Sequence, residues 1–164
     1  MKKFLYSLLC VLSLTACTTK TVEVKSCPFP ETKAESKETV DGDVSFILPR
    51  DFSQYKEHVW TSKSRNMIVV VIENKTDLSQ DKYVEEEVSN LEMDSDIEIV
   101  INEPVNVKGK TGRLVVFRTS KVYIANVLVV HNGLAHHVGC GGLFKEVEKT
   151  LPVCADIITS VTVK

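Results

Sequence analysis

The sequence predicts a small α+β domain in which antiparallel β-strands dominate. Three observations predict it. Residues 97–140 break into short β-branched runs separated by tight turns, and Asn132-Gly133 has the two residue types that tolerate the positive φ of a type I′ hairpin. Val84, Val88 and Leu91 are spaced by four and three residues, which puts one apolar stripe on a helix. After Gly141-Gly142, the residues Leu143, Phe144, Val147, Leu151, Cys154, Ile157, Ile158 and Val161 return to helical spacing.

Taken in order, the chain opens on Lys2-Lys3 and a short apolar run, Phe4 to Leu14. These are the charged and apolar parts of a secretory signal. The run is too short to span a bilayer, which takes about 20 apolar residues. Leu14-Thr15-Ala16-Cys17 resembles the bacterial lipobox. The resemblance implies cleavage before Cys17 and a diacylglyceryl group on its sulfur. Acyl chains contribute about 0.8 kcal/mol per buried methylene, so such an anchor holds a protein at a membrane. The absence of Asp after Cys17 implies the outer membrane in a Gram-negative cell. Residues 1–16 are therefore expected to be lost, and residues 17–42 to be a polar tether with too little apolar surface to fold. Residues 43–164 are the expected domain.

Within the domain, Val44 to Leu48 reads as a strand stopped by Pro49, and Asp51 to Gln54 as a turn or short helix. Tyr55 to Lys63 alternates loosely, with Val59 and Thr61 on one face and His58 and Trp60 on the other. Met67 to Ile72 is an unbroken apolar run, the pattern of a central strand covered on both faces. A helix is expected from Ser79 or Asp81 to about Met93, then strands at 97–104, 112–119, 122–131 and 134–140. Gly141-Gly142 is expected to end the last of these. Pro152 is expected to divide the terminal helical stretch in two, because Pro is favoured only in a first turn.

Without the leader, 148 residues remain, a single-domain length. The leader removes two of the 20 basic residues and none of the 22 acidic ones, leaving a net charge of −4. No basic stripe is available to neutralise phosphates, which argues against nucleic acid. Cys10 leaves with the leader and Cys17 carries lipid. Cys27, Cys140 and Cys154 allow one bridge and one leftover thiol in an exported chain. The bridge is assigned to Cys140–Cys154, a short loop whose closure contributes about 3 kcal/mol. Cys27, in Cys27-Pro28-Phe29-Pro30 of the tether, is then the leftover cysteine, and the sequence leaves open whether it is free. No C-x-x-C motif and no His at ligand spacing accompany the cysteines, so neither a metal nor a cofactor is expected.

Val44-Ser45-Phe46-Ile47-Leu48-Pro49 with Phe52, then Trp60, and the closing His137-Val138-Gly139-Cys140, Phe144 and Cys154 to Val161 together resemble the PsbP-like family. That family includes PsbP, the Mog nuclear-transport proteins and DcrB-type bacterial lipoproteins. The resemblance covers about residues 41–164. It implies an antiparallel sheet sandwiched by helices, an α/β/α arrangement, and a binding or assembly factor rather than an enzyme. It transfers no functional residue, because the matching positions are core and disulfide positions.

Chemistry-bearing motifs are sparse. His136 and His137 are strand neighbours and point to opposite faces, so they cannot share a metal; one is expected half-buried and one exposed. A pair between His131 and His137 across the hairpin is the remaining histidine arrangement. There is no G-x-S-x-G and no G-x-G-x-x-G. Asn74-Lys75-Thr76 matches a glycosylation pattern that is idle in a bacterial lipoprotein. Glu85, Glu86 and Glu87 read as a solvated helix face. The candidate partner-binding residues are Trp60, a type enriched at hot spots, and Glu92, Asp94 and Asp96, which with Glu98 form an acidic turn. The expected function is non-enzymatic: an envelope lipoprotein that binds another envelope protein in assembly or maintenance. Alternatives are a periplasmic immunity or inhibitor lipoprotein, or a small-ligand-binding protein. Oligomeric state is not legible.

Overall fold

The computed structural model describes residues 36–164. The signal 1–16, Cys17, Cys27 and the first part of the tether lie outside the described residues.

The chain order is β1 (Ser36–Asp41), β2 (Val44–Pro49), β3 (Ser53–Lys56), β4 (Val59–Ser62), β5 (Met67–Lys75), α1 (Gln80–Glu92), β6 (Glu98–Val107), β7 (Lys110–Arg118), β8 (Val122–His131), β9 (Leu134–Leu143), a 3-10 turn (Phe144–Glu146), α2 (Val147–Thr159) and β10 (Thr162–Val163). All strand pairs are antiparallel. Seven strands form one sheet in the order β3-β4-β5-β9-β8-β7-β6, and β1-β2-β10 form a smaller one.

The pleat sorts side chains onto two faces. Cys140 is bonded to Cys154 of α2, so the even residues of β9 around it face α2. His137 meets Tyr83 of α1, so the odd residues face α1. The large sheet is thus sandwiched, and the α+β architecture expected from sequence holds. The small sheet lies on the α2 face: Phe46 meets Trp60 edge-to-face at 5.3 Å, and Trp60 pairs with Val69, which pairs with Cys140.

Several expectations change. Residues 36–41 are not tether: they pair with all of β2, Ser36 opposite Pro49 and Asp41 opposite Val44. The segment 55–63 is not one alternating strand. It is a hairpin whose turn places His58 at φ 60, held by Asp41, so Val59 and Trp60 are both buried. Gly141-Gly142 does not end β9; both glycines continue the ladder to β5 and β8. A Cβ on Gly141 would lie 2.5 Å from the Tyr123 carbonyl oxygen, so glycine here serves close packing. Pro152 lies inside one continuous α2. The N–H it lacks would have bonded the carbonyl of Glu148, an exposed residue near the helix start, so the proline leaves one intrahelical bond unmade without ending the helix. His136 and His137 are both buried, at 2% and 6% exposure, because both faces of β9 are covered there. His131 does not pair with His137: the latter sits opposite Leu128, three residues away and therefore on the other face from His131.

The helix α1 begins at Ser79 as expected, without a side-chain cap. Its first residue does other work. The Gln80 amide donates to the Leu128 carbonyl at 3.2 Å and accepts from Val130 N at 2.6 Å. Pairing of β7 to β8 stops at Arg113–Leu128, so Gln80 supplies the ladder bonds that β7 no longer reaches. At the C-terminus, Ser160 Oγ accepts from Ile47 N at 2.8 Å and donates to the Ile157 carbonyl at 2.6 Å, tying α2 to β2. Among the described residues no helix is long and apolar enough to cross a membrane.

Candidate binding face

On the α1 face, the register lines up Thr61, Ile68, Gly141, Ile124, Phe117 and Ile99 in one row across six strands. One end of this row is covered. Val84, Val88 and Leu91 of α1 pack on Val115, Leu128, Ile99 and Phe117. The helix has 13 residues, about 20 Å; its Val84, Val88 and Leu91 stripe packs on β6, β7 and β8, and only Tyr83, in its first turn, extends to His137 of β9.

The other end is open. Ile68 and Ile72 are 41% and 48% exposed, and Tyr55, on the neighbouring edge strand β3, is 74% exposed. Beside Tyr55 and Ile68 lies an apolar groove of about 520 Å³, lined among others by Tyr55, Thr61, Ile68, Ile124 and Leu143; Ile72 is outside its lining. Its floor is low because Gly141 contributes no side chain. Lys63 is the charged residue of the lining. Lys121 and Lys145 flank the same end, joined by the bond from Phe144 N to the Lys121 carbonyl. All three lysines are exposed, and none forms an ion pair among the described residues. Nearby, Arg118 is held by Glu98 at 2.7 Å and lies over the Phe144 ring.

The polar side chains elsewhere are engaged with one another. Asp51 Oδ2 accepts from Ser62 (2.6 Å), Arg65 Nε (2.8 Å) and Ser64 (2.9 Å). Desolvation pushes the Asp51 carboxyl up, but these hydrogen bonds outweigh it and bring it down to about 2. His58 donates to Asp41 at 2.7 Å, which raises the imidazole's pKa. His136 stands 3.2 Å from Glu73. Burial lowers the His137 pKa, which keeps its ring neutral. Asn74 donates to the Tyr83 hydroxyl at 3.3 Å, and that hydroxyl is hydrogen-bonded to His137 Nε2 at 2.7 Å. Among the described residues no serine hydroxyl meets a histidine, and no three metal-ligating side chains converge.

Trp60 is 5% exposed, so it is a core residue and not a surface anchor. Glu92, Asp94 and Asp96 are exposed on the α1–β6 turn, where Asp94 Oδ1 accepts from Asp96 N at 3.0 Å. Glu87, between Tyr83 and Leu91, is half-buried, while Glu85 and Glu86 face solvent. Cys140 and Cys154 form the assigned disulfide, both fully buried. The groove residues Tyr55, Ile68 and Ile124 escaped the sequence reading. Their signal is the period-2 pair Gly139 and Gly141 within a strand, which marks a close approach or a bound group.

No family model and no curated relative matches the chain. Solved structures do. The chain is similar to the solution structure of cyanobacterial PsbP (CyanoP) from Synechocystis sp. PCC 6803, with a TM-score of 0.60 and 11% identity over 92% of this chain and 99% of that one. It is also similar to LpqN, involved in cell envelope biogenesis in Mycobacterium tuberculosis, with a TM-score of 0.57 and 14% identity over 80% of this chain and 93% of that one. A Pseudomonas aeruginosa protein of unknown function matches with a TM-score of 0.57 and 10% identity over 76% and 94%. At these identities the likeness is one of fold, and the fold is PsbP-like.

Proposed function

We propose that the chain is a non-enzymatic envelope lipoprotein, anchored through Cys17, that binds another envelope protein on the open half of its sheet. The observation that carries this reading is the exposure of Tyr55 and Ile68 around one groove, on a face whose other half is covered. Contiguous exposed apolar surface on a folded domain marks an interaction site. The lipobox resemblance supports the anchor, and a fold shared with an envelope-biogenesis protein supports the compartment. The acidic turn of Glu92, Asp94 and Asp96 is proposed as a second docking element.

In-cell crosslinking of the lipidated chain, followed by mass spectrometry, tests the reading. It expects one stoichiometric protein partner whose yield collapses in Ile68→Asp. Partner yield unchanged by Ile68→Asp removes the groove from the function. Unchanged yield after Glu92→Ala, Asp94→Ala and Asp96→Ala together removes the acidic turn. Membrane fractionation of Cys17→Ser tests the anchor, and a variant that stays membrane-bound refutes it.

A further inference from the structure

We infer that the open groove receives an amphipathic helix of the partner protein, laid beside α1, with acidic residues at the end that meets Lys63, Lys121 and Lys145. The inference rests on the binding reading above and names the partner's chemistry. Two features of the face carry it.

The first is continuity. Thr61, Ile68 and Ile124 belong to the same row as Phe117 and Ile99, which already accept a helix. The covered half shows what this surface fits: a narrow stripe of Val84, Val88 and Leu91. Neighbouring helices pack about 8–10 Å apart, and strands are about 4.8 Å apart. A second helix beside α1 therefore comes down about two strands away, over β9 and β5. Gly141 leaves that floor low, and the flanking Ile68 is free to pack.

The second is charge. The lining contains one charged group, Lys63, and no carboxylate. Lys121 and Lys145 lie at the same end, and none of the three forms an ion pair among the described residues; the one carboxylate there, Glu146, accepts from the lining Asn66 at 3.0 Å and leaves three lysines against one acid. By contrast, the cations nearest them, Arg65 and Arg118, are already paired with Asp51 and Glu98. An apolar stripe ending in acid meets both parts of the surface, and a basic or neutral stripe leaves the lysines unmatched. An anionic lipid shares the apolar-plus-acid chemistry and is the competing occupant to be tested.

The test places a photo-crosslinking amino acid at Ile68, and separately at Ile124, in the full lipidated chain in cells. The attached peptide is then identified. The expected adduct is a partner peptide with an apolar i, i+4 stripe and Asp or Glu at one end. Crosslinking should fall at least tenfold in Lys63→Glu/Lys121→Glu/Lys145→Glu and persist in the three Lys→Arg substitutions. Disulfide content and far-UV circular dichroism confirm that each variant folds. A lipid adduct at Ile68, or a peptide adduct indifferent to charge reversal, overturns the inference. A peptide adduct lacking acidic residues overturns it too, while leaving the binding reading intact. No adduct at either position defeats both.

Discussion

The two halves of the α1 face are built from the same strands and the same kinds of side chain, yet they are used differently. Under α1, Leu128 and Val115 are 2% and 1% exposed and contribute to stability. A few strands away, Ile68 in the same sheet is 41% exposed. The opposite face shows that the domain has means to cover itself: there α2, the small sheet and a disulfide bury Val69, Val138 and Cys140. An open half on a sheet with such resources reads as surface reserved for a partner. Stability and binding should therefore separate by position, and substitutions can test that separation.

The largest effect should come from the closed face. Replacing Cys140 and Cys154 by Ala removes a bridge spanning 14 residues and should cost about 3 kcal/mol in urea unfolding. A loss near zero would mean that this face does not govern stability. Leu128→Ala, under α1, should cost about 2–3 kcal/mol by leaving a cavity. Gly141→Ala sits at the boundary. Its Cβ meets backbone, so about 2 kcal/mol is expected, together with a partly filled groove and weaker partner binding.

Smaller effects come from the polar pairs. Asp51 has a folded pKa of about 2 against 3.8 unfolded, so it stabilises above about pH 4, and this contribution is lost as pH falls through 2. Because the carboxylate is partly exposed, screening leaves roughly 1 kcal/mol, which Asp51→Asn should remove along with that part of the acid dependence. His58 works in the other direction. Its pKa is raised by Asp41, so its contribution is full below about 6.5 and lost as pH rises through the folded value; Asp41→Asn should flatten that slope. At the open half the cost should also stay small: Ile68→Asp, at a side chain 41% exposed, should change stability by about 1 kcal/mol, mostly through the poor strand preference of Asp.

Much of this fold was legible because its signals are periodic. The α1 stripe, the strands β6 to β8 and the Asn132-Gly133 turn, with both residues at positive φ, appear where expected. The errors have physical causes. Ser36 to Asp41 is a polar edge strand, and its pairing depends on β2 rather than on its own composition. The β3–β4 turn uses His58 at positive φ in place of Gly or Asn, and the stabilising Asp41 lies far away in sequence. Gly141-Gly142 resembles a breaker until Tyr123 is seen against it. The groove escaped notice because Met67 to Ile72 has the composition of a strand covered on both sides. What uncovers Ile68 and Ile72 is the reach of α1, a tertiary property that no local window contains.

The most direct measurement compares Ile68→Asp with Val40→Asp in the full-length chain expressed in cells. Val40 is equally apolar and 57% exposed, but it lies on the small sheet away from the groove. Partner yield by in-cell crosslinking and the melting temperature would be read for both. The expected result is loss of the partner in Ile68→Asp alone, with both melting temperatures within a few degrees of the parent. Retention of the partner in Ile68→Asp, or equal loss in both variants, would contradict the assignment of the open half-sheet as the binding face.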